Sequence, residues 1–193
     1  MMKLIIEEKS FLFMTKSSNH YRRISIFAGP GVGKSVLAAR LFVDLKIQGK
    51  SIELVPEHVK TWVYQERKPK SYQQVELFSK QLIAEDTFLT NSDLIVTDSP
   101  LWLSYIYGKH QNLSGTEHLP PLCEEFDDRF PSLNIALTSK DDDYQTMGRF
   151  ESAKEASLMQ EKILKFCENR FPIRTFDRND YDEIFHYVNQ ELN

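Results

Sequence analysis

An α/β fold with a doubly wound parallel sheet is what this chain predicts, on three observations. Short apolar, β-branched runs alternate with longer stretches of helical periodicity. The strongest of these runs, Leu94-Ile95-Val96-Thr97, is almost wholly apolar, as a strand covered on both faces by helices must be. The 193 residues are 41% hydrophobic and 27% charged, an ordinary globular balance that excludes disorder, collagen and coiled coil for the chain as a whole. At roughly 150 residues per domain, that length predicts one domain.

The elements follow in order. Residues 1–20 read as an N-terminal extension, disordered, with a packed edge strand at 3–6 as the structural alternative. Met14 offers a second start, which would make residues 1–13 optional. A first strand, Ile24-Ser25-Ile26-Phe27, leads into a glycine cluster. The helix after Gly33 carries Val36, Leu37, Leu41 and Leu45 as its apolar stripe, and Gly49 stops it. Residues 51–55 form a second strand ended by Pro56. Residues 72–90 form a long helix with Val75, Phe78, Leu82, Ile83 and Leu89 near one face. Asp98-Ser99-Pro100 ends the third strand, and residues 101–107 are helical. Two glycines and two prolines make residues 108–121 a loop. A fourth strand lies at Ile135-Ala136-Leu137. Asp141-Asp142-Asp143 opens a polar stretch, followed by a helix over 152–169 with Ala156, Met159, Ile163 and Phe166 on one face. Ile173 to Phe176 is the last strand, and residues 180–192 the last helix.

Charge and cysteine narrow the function classes. Twenty-four basic against 28 acidic residues give a net charge of −4, which argues against a protein that coats nucleic acid or an anionic membrane. Residues 60–70 nevertheless carry a net +3 from Lys60, Arg67, Lys68 and Lys70 against Glu66. Such a run is a solvated face or a substrate contact. Cys123 and Cys167 form no CxxC pair and no zinc spacing, so they read as thiols of a reducing compartment. No apolar run approaches ~18 residues, and Glu7, Glu8 and Lys9 interrupt the N-terminal one, so no membrane span or signal core is expected. A cytoplasmic location is expected, the host's cytoplasm if the gene is viral.

Glycine is scarce, with seven residues, yet Gly29, Gly31 and Gly33 fall within five positions. They belong to AGPGVGKS at residues 28–35, which matches G-x-x-x-x-G-K-[ST] except that Ala28 stands at the first glycine. Glycines let backbone N–H groups curl around an anion, and the following helix points its positive end at it. Gly29, Pro30, Gly31, Val32, Gly33, Lys34, Ser35 and Val36 are thus the expected nucleotide-binding set. Lys34 supplies charge to the β and γ phosphates, and Ser35 is a Mg²⁺ ligand. ATP and Mg²⁺ are the expected cofactors.

Such a site needs a carboxylate near the metal, at the end of a neighbouring strand. Asp98 fills that position, with a helix-capping aspartate as the plain alternative. Glu57 follows the second strand in VPEHVKTW and, if the strands are parallel, shares a sheet edge with Asp98 and Lys34. One carboxylate would serve the metal and the other an acceptor proton. Neighbouring His58 reads as a capping or packing histidine. A regulatory GTPase is excluded, since no D-x-x-G follows the third strand and no N-K-x-D occurs. A ring ATPase would need a further helical domain, for which the chain has little room.

With these motifs the sequence resembles the P-loop nucleoside and nucleotide kinases. Within that group it is similar to the ATP-binding domain family that includes the nicotinamide riboside kinase part of a bacterial NAD regulator, with stand-alone relatives in phages. The matching features are AGPGVGKS, the Pro-Glu after strand two, the glutamine-bearing helix at 73–81, TDSP, and GRFES at 148–152. The resemblance covers residues 22–190. The resemblance implies a three-layer domain over residues 21–193 with sheet order 2-3-1-4-5, a substrate cleft between strand two and the long helix, and a lid near 140–152. It further implies Glu57 or Asp98 as the activating carboxylate, Gln81 (or Gln74) as a reader of the base, and Arg149 as the lid arginine. Arg67, in the basic run, is a further substrate candidate. The E-R-S triplet of many deoxynucleoside kinases is absent, Asp98-Ser99-Pro100 standing in its place.

The expected activity is transfer of the γ-phosphoryl of ATP to a hydroxyl of a small nucleoside- or nucleotide-type acceptor. Two alternatives stay open. One is a phage-type kinase acting on a hydroxymethylated pyrimidine within DNA, for which Trp62 and Tyr64 would be stacking platforms. The other is an ATPase or nucleotide-dependent binding protein.

Overall fold

The computed structural model describes residues 21–139 and 152–193. Five strands pair in parallel throughout: β1 (Arg23–Phe27), β2 (Ile52–Val55), β3 (Leu94–Thr97), β4 (Ser132–Thr138) and β5 (Arg174–Asp177). Their order is β2-β3-β1-β4-β5, the one the resemblance implies. The helices are α1 (Lys34–Ile47), α2 (Val59–Tyr64), α3 (Gln73–Asn91), α4 (Leu101–His110), α5 (Pro120–Arg129), α6 (Ala153–Glu168) and α7 (Tyr181–Glu191), with a 3₁₀ turn at Thr116–His118.

Strand alternation divides the core. Ile24 and Ile26 of β1 point to one face, where α1 contributes Leu37, Leu41 and Leu45 and α7 contributes Ile184 and Val188. Phe27 and Ile95 point to the other face, packed with Phe78 of α3, Leu101 and Trp102 of α4, Phe126 of α5 and Ile163 of α6. A side chain such as Leu41, fully buried, stabilises the fold by about 1.5–3 kcal/mol. Both thiols are buried, which pushes them up, Cys167 to about 12.

Several expectations are corrected. The loop expected at 108–121 is shorter, residues 111–119 with the 3₁₀ turn inside it: α4 runs to His110, and α5 starts at Pro120. Proline breaks a helix interior but is tolerated in the first turn, where its missing N–H would have no helical partner. Within α5, Cys123 and Phe126 are buried at helical spacing. The basic run 60–70 contains most of α2, with Trp62 buried and Tyr64 exposed. Val36 and Ile83, placed on core stripes by periodicity, are 74% and 65% exposed. Strand β4 begins at Ser132, three residues earlier than its apolar triplet, because its backbone pairs with β1 from Arg23 opposite Ser132 onward; Ser132 Oγ also donates to Ser25 Oγ at 2.6 Å.

Candidate active site

The phosphate loop connects β1 to α1. Gly31 and Gly33 have φ of +83° and +115°, conformations that glycine alone adopts without strain. Gly29 is required for a different reason. Its N–H donates to Gln160 Oε1 from α6, and an added Cβ would lie 3.0 Å from the Gln160 Cβ. Gln160 is itself anchored by its Nε2, which donates to the Leu137 carbonyl at 2.7 Å. The helix after the loop has no acidic residue in its first turn, leaving its positive end for an anion. Lys34 Nζ donates to the carbonyls of Ala28 and Gly29, both at 2.9 Å. Val32 is buried, whereas Pro30, Gly31, Gly33, Lys34, Ser35 and Val36 face a cavity.

The parallel register places both carboxylates at that edge. Val55 is paired with Thr97, and Ser25 with Thr97 on the other side. Glu57 and Asp98 therefore leave neighbouring strands at the end where the phosphate loop leaves β1. Asp98 is 3% exposed and accepts from Ser35 Oγ through Oδ2. Its Oδ1 is buried and has no hydrogen-bond partner among the described residues. A buried carboxylate oxygen without a donor favours a cation beside it. A hydroxyl and a carboxylate are hard oxygen donors, the kind that suits Mg²⁺, which keeps water and phosphate for its remaining positions. Among the described residues no cluster of three His, Cys, Asp or Glu could hold a metal alone, so water and phosphate oxygens would complete any such sphere.

The cavity, about 330 Å³, runs from the phosphate loop between α2, α3 and α4. Glu57, His58 and Lys60 form one wall. Gln74, Leu77 and Gln81 of α3 form the second, and Leu103, Ser104 and Tyr107 of α4 the third. Gln81 is buried, and its Nε2 donates to Glu85 Oε1 and Thr97 Oγ1, each at 3.2 Å. Thr97 Oγ1 donates to Glu85 Oε1 at 3.3 Å and accepts the Ser99 N–H at 3.3 Å. Gln74 Nε2 donates to the Ser104 carbonyl at 3.0 Å.

Arg67 does not line the cavity. Its guanidinium lies 3.6 Å from the Trp62 ring centroid and 3.9 Å from Glu76, which explains why a charge in the basic run is drawn outward. Arg149 and the expected lid lie outside the described residues, as do residues 1–20. Lys60, read with the basic run as a solvated face or a substrate contact, Tyr64, offered only as a stacking platform for DNA, and His58, read as a capping or packing histidine, all line the cavity, as does Tyr107, for which the sequence carries no signal. His58 makes no side-chain cap bond, and its Nε2 is buried without a hydrogen-bond partner among the described residues. Arg178, unassigned from sequence, has its side chain within 4.0 Å of where a Cβ on Gly33 would stand.

No protein-family model matches the chain, and no curated protein matches it. Among solved structures it is similar to deoxyadenosine kinase from M. mycoides with products dCMP and a flexible dCDP bound, at 18% identity and a TM-score of 0.56 over 89% of this chain and 98% of that one. The same enzyme with bound dATP matches at 18% identity and a TM-score of 0.55, over 88% and 100%. At such identities the likeness is one of fold: this chain folds as the P-loop nucleoside kinases do, with sheet order β2-β3-β1-β4-β5 and helices on both faces.

Proposed function

We propose that the protein is a Mg²⁺- and ATP-dependent phosphotransferase acting on a hydroxyl of a nucleoside- or nucleotide-type acceptor. One observation carries this reading: the cavity at the phosphate loop extends past it between α2, α3 and α4, leaving room for an acceptor between walls of amides and aromatics. An ATPase or a nucleotide switch needs only water beside its phosphates.

In this reading the loop amides and Lys34 hold the polyphosphate. Ser35 and Asp98 would hold Mg²⁺, which when bound neutralises phosphate charge. Glu57 or Asp98 takes the acceptor's hydroxyl proton while the acceptor oxygen bonds to the γ-phosphorus and ADP departs. Arg149, by the resemblance, would add positive charge to the transferring phosphoryl group. Catalysis is positioning and electrostatics.

The acceptor's base is the finer part of the proposal. With the Gln81 nitrogen committed to Glu85 and Thr97, its carbonyl oxygen is the atom offered to a ligand. That oxygen accepts from an exocyclic amino group and repels a ring carbonyl. The M. mycoides enzyme, similar in fold, holds dATP and dCMP, whose bases carry such amino groups.

The test is an acceptor panel with γ-labelled ATP: adenosine, cytidine, uridine and thymidine with their 5′-monophosphates, nicotinamide riboside, and plain or hydroxymethylated DNA. Label in a small acceptor is expected, with amino-bearing bases ahead by about tenfold or more in kcat/KM. Label in free phosphate alone overturns the reading in favour of an ATPase. Label in polymer with steep salt dependence makes the substrate DNA.

A further inference from the structure

The ammonium of Lys60 reaches the metal end of the cleft from the wall opposite the phosphate loop. It sits in the first turn of α2, exposed to solvent, and its Nζ donates to Ser35 Oγ at 2.9 Å. Ser35 Oγ in turn donates to Asp98 Oδ2. A serine hydroxyl has one proton and two lone pairs. The proton goes to Asp98, and Lys60 takes a lone pair. Asp98 is nearly out of water, with one oxygen lacking any hydrogen-bond partner among the described residues. Its charge is thus offset, through a hydroxyl, by a cation from a different element. The other charged or titratable groups on this wall are Glu57, His58 and Tyr64, and Lys34 faces them from the loop and Tyr107 from α4.

We propose that Lys60 is the placeholder cation of this site: it holds Ser35 Oγ until a divalent metal takes that oxygen, and the two exclude each other there. The proposal rests on reading Ser35 and Asp98 as metal ligands. A metal on Ser35 needs a lone pair of the same oxygen at about 2.0–2.1 Å. An ammonium hydrogen-bonded to that oxygen would stand a few ångströms from a dication, and repulsion in a partly desolvated cleft is strong. Metal alone therefore binds weakly. A polyphosphate reverses the balance, because it brings negative charge with the metal and offers Lys60 other oxygens. The flexible four-carbon stem lets Lys60 move to them. Metal entry is thereby coupled to nucleotide entry.

Mn²⁺ titration of the full chain without nucleotide, read by electron paramagnetic resonance, tests this. Lys60→Ala is expected to bind Mn²⁺ about fivefold or more tightly than wild type. Lys60→Arg, which keeps the charge, stays near wild type, and Asp98→Asn abolishes binding in either background. Equal or weaker binding by Lys60→Ala, with its melting temperature intact, overturns the proposal. Mn²⁺ binding that survives Asp98→Asn overturns it as well, by placing the metal elsewhere. Neither result decides phosphoryl transfer, which the acceptor panel reads on its own.

Discussion

Lys34 lies across the phosphate loop, its ammonium on the Ala28 and Gly29 carbonyls until phosphate offers a stronger partner. Lys34→Ala should lower kcat by roughly 10²–10³-fold while leaving the melting temperature nearly unchanged, because the loop's shape comes from its glycines. Undiminished turnover in that variant would sink the assignment. At this scale Lys34, Ser35 and Asp98 were legible because their roles depend on contiguous residues and on the end of one strand. Lys60 was not, because its partner is 25 residues away in the chain. Arg67 lies off the cavity lining for the converse reason: Trp62 and Glu76 hold it, and neither contact is written into the charge run.

Packing between elements sets the acceptor side of the cleft. Gly108 lies in α4 where that helix meets α3 and the 3₁₀ turn. A Cβ there would stand 2.5 Å from Thr116 Oγ1 and 2.9 Å from Gln74 Cγ. Gly108→Ala should destabilise by about 1–3 kcal/mol, through overpacking. It should also raise the acceptor KM severalfold by displacing Gln74, with the ATP KM unmoved. Steady-state kinetics with each substrate varied separately check this; an unchanged acceptor KM would count against the α3–α4 wall as the acceptor site. The sequence reading put Gly108 in a loop, because glycine and proline density cannot tell a turn from a close helix contact. The helix at α6 was clearer. Its periodicity was read from sequence, and in the structure Ser152 opens it with a capping box, its N–H donating to Glu155 Oε2 at 2.8 Å.

Across the whole molecule, a buried ionic group ties the sheet to its helical cover. Arg23 of β1 pairs with Glu85 of α3 at 3.6 Å and with Asp127 of α5, which also accepts from Trp102 Nε1 at 2.7 Å. Burial lifts the Glu85 carboxyl above its ordinary 4.5, against the opposing pull of Arg23 and hydrogen bonds from Gln81 and Thr97. The folded state then keeps a proton on Glu85 where the unfolded chain has released it. That stability is fully present below pH 4.5 and is lost as the pH rises through the folded-state value. In urea unfolding from about pH 4 to 8, wild type should lose stability relative to Glu85→Gln as the pH rises. A pH-independent difference would show the carboxyl unshifted.

The sequence by itself determined the strand–helix alternation, the phosphate loop and the two carboxylates at strand ends, because each is a local pattern repeated at the period of its element. Only the tertiary structure decided the acceptor wall, the inward turn of Gln81 and the reach of Lys60 to Ser35. Those rest on contacts between residues far apart in the chain, whose partners no spacing or composition can name.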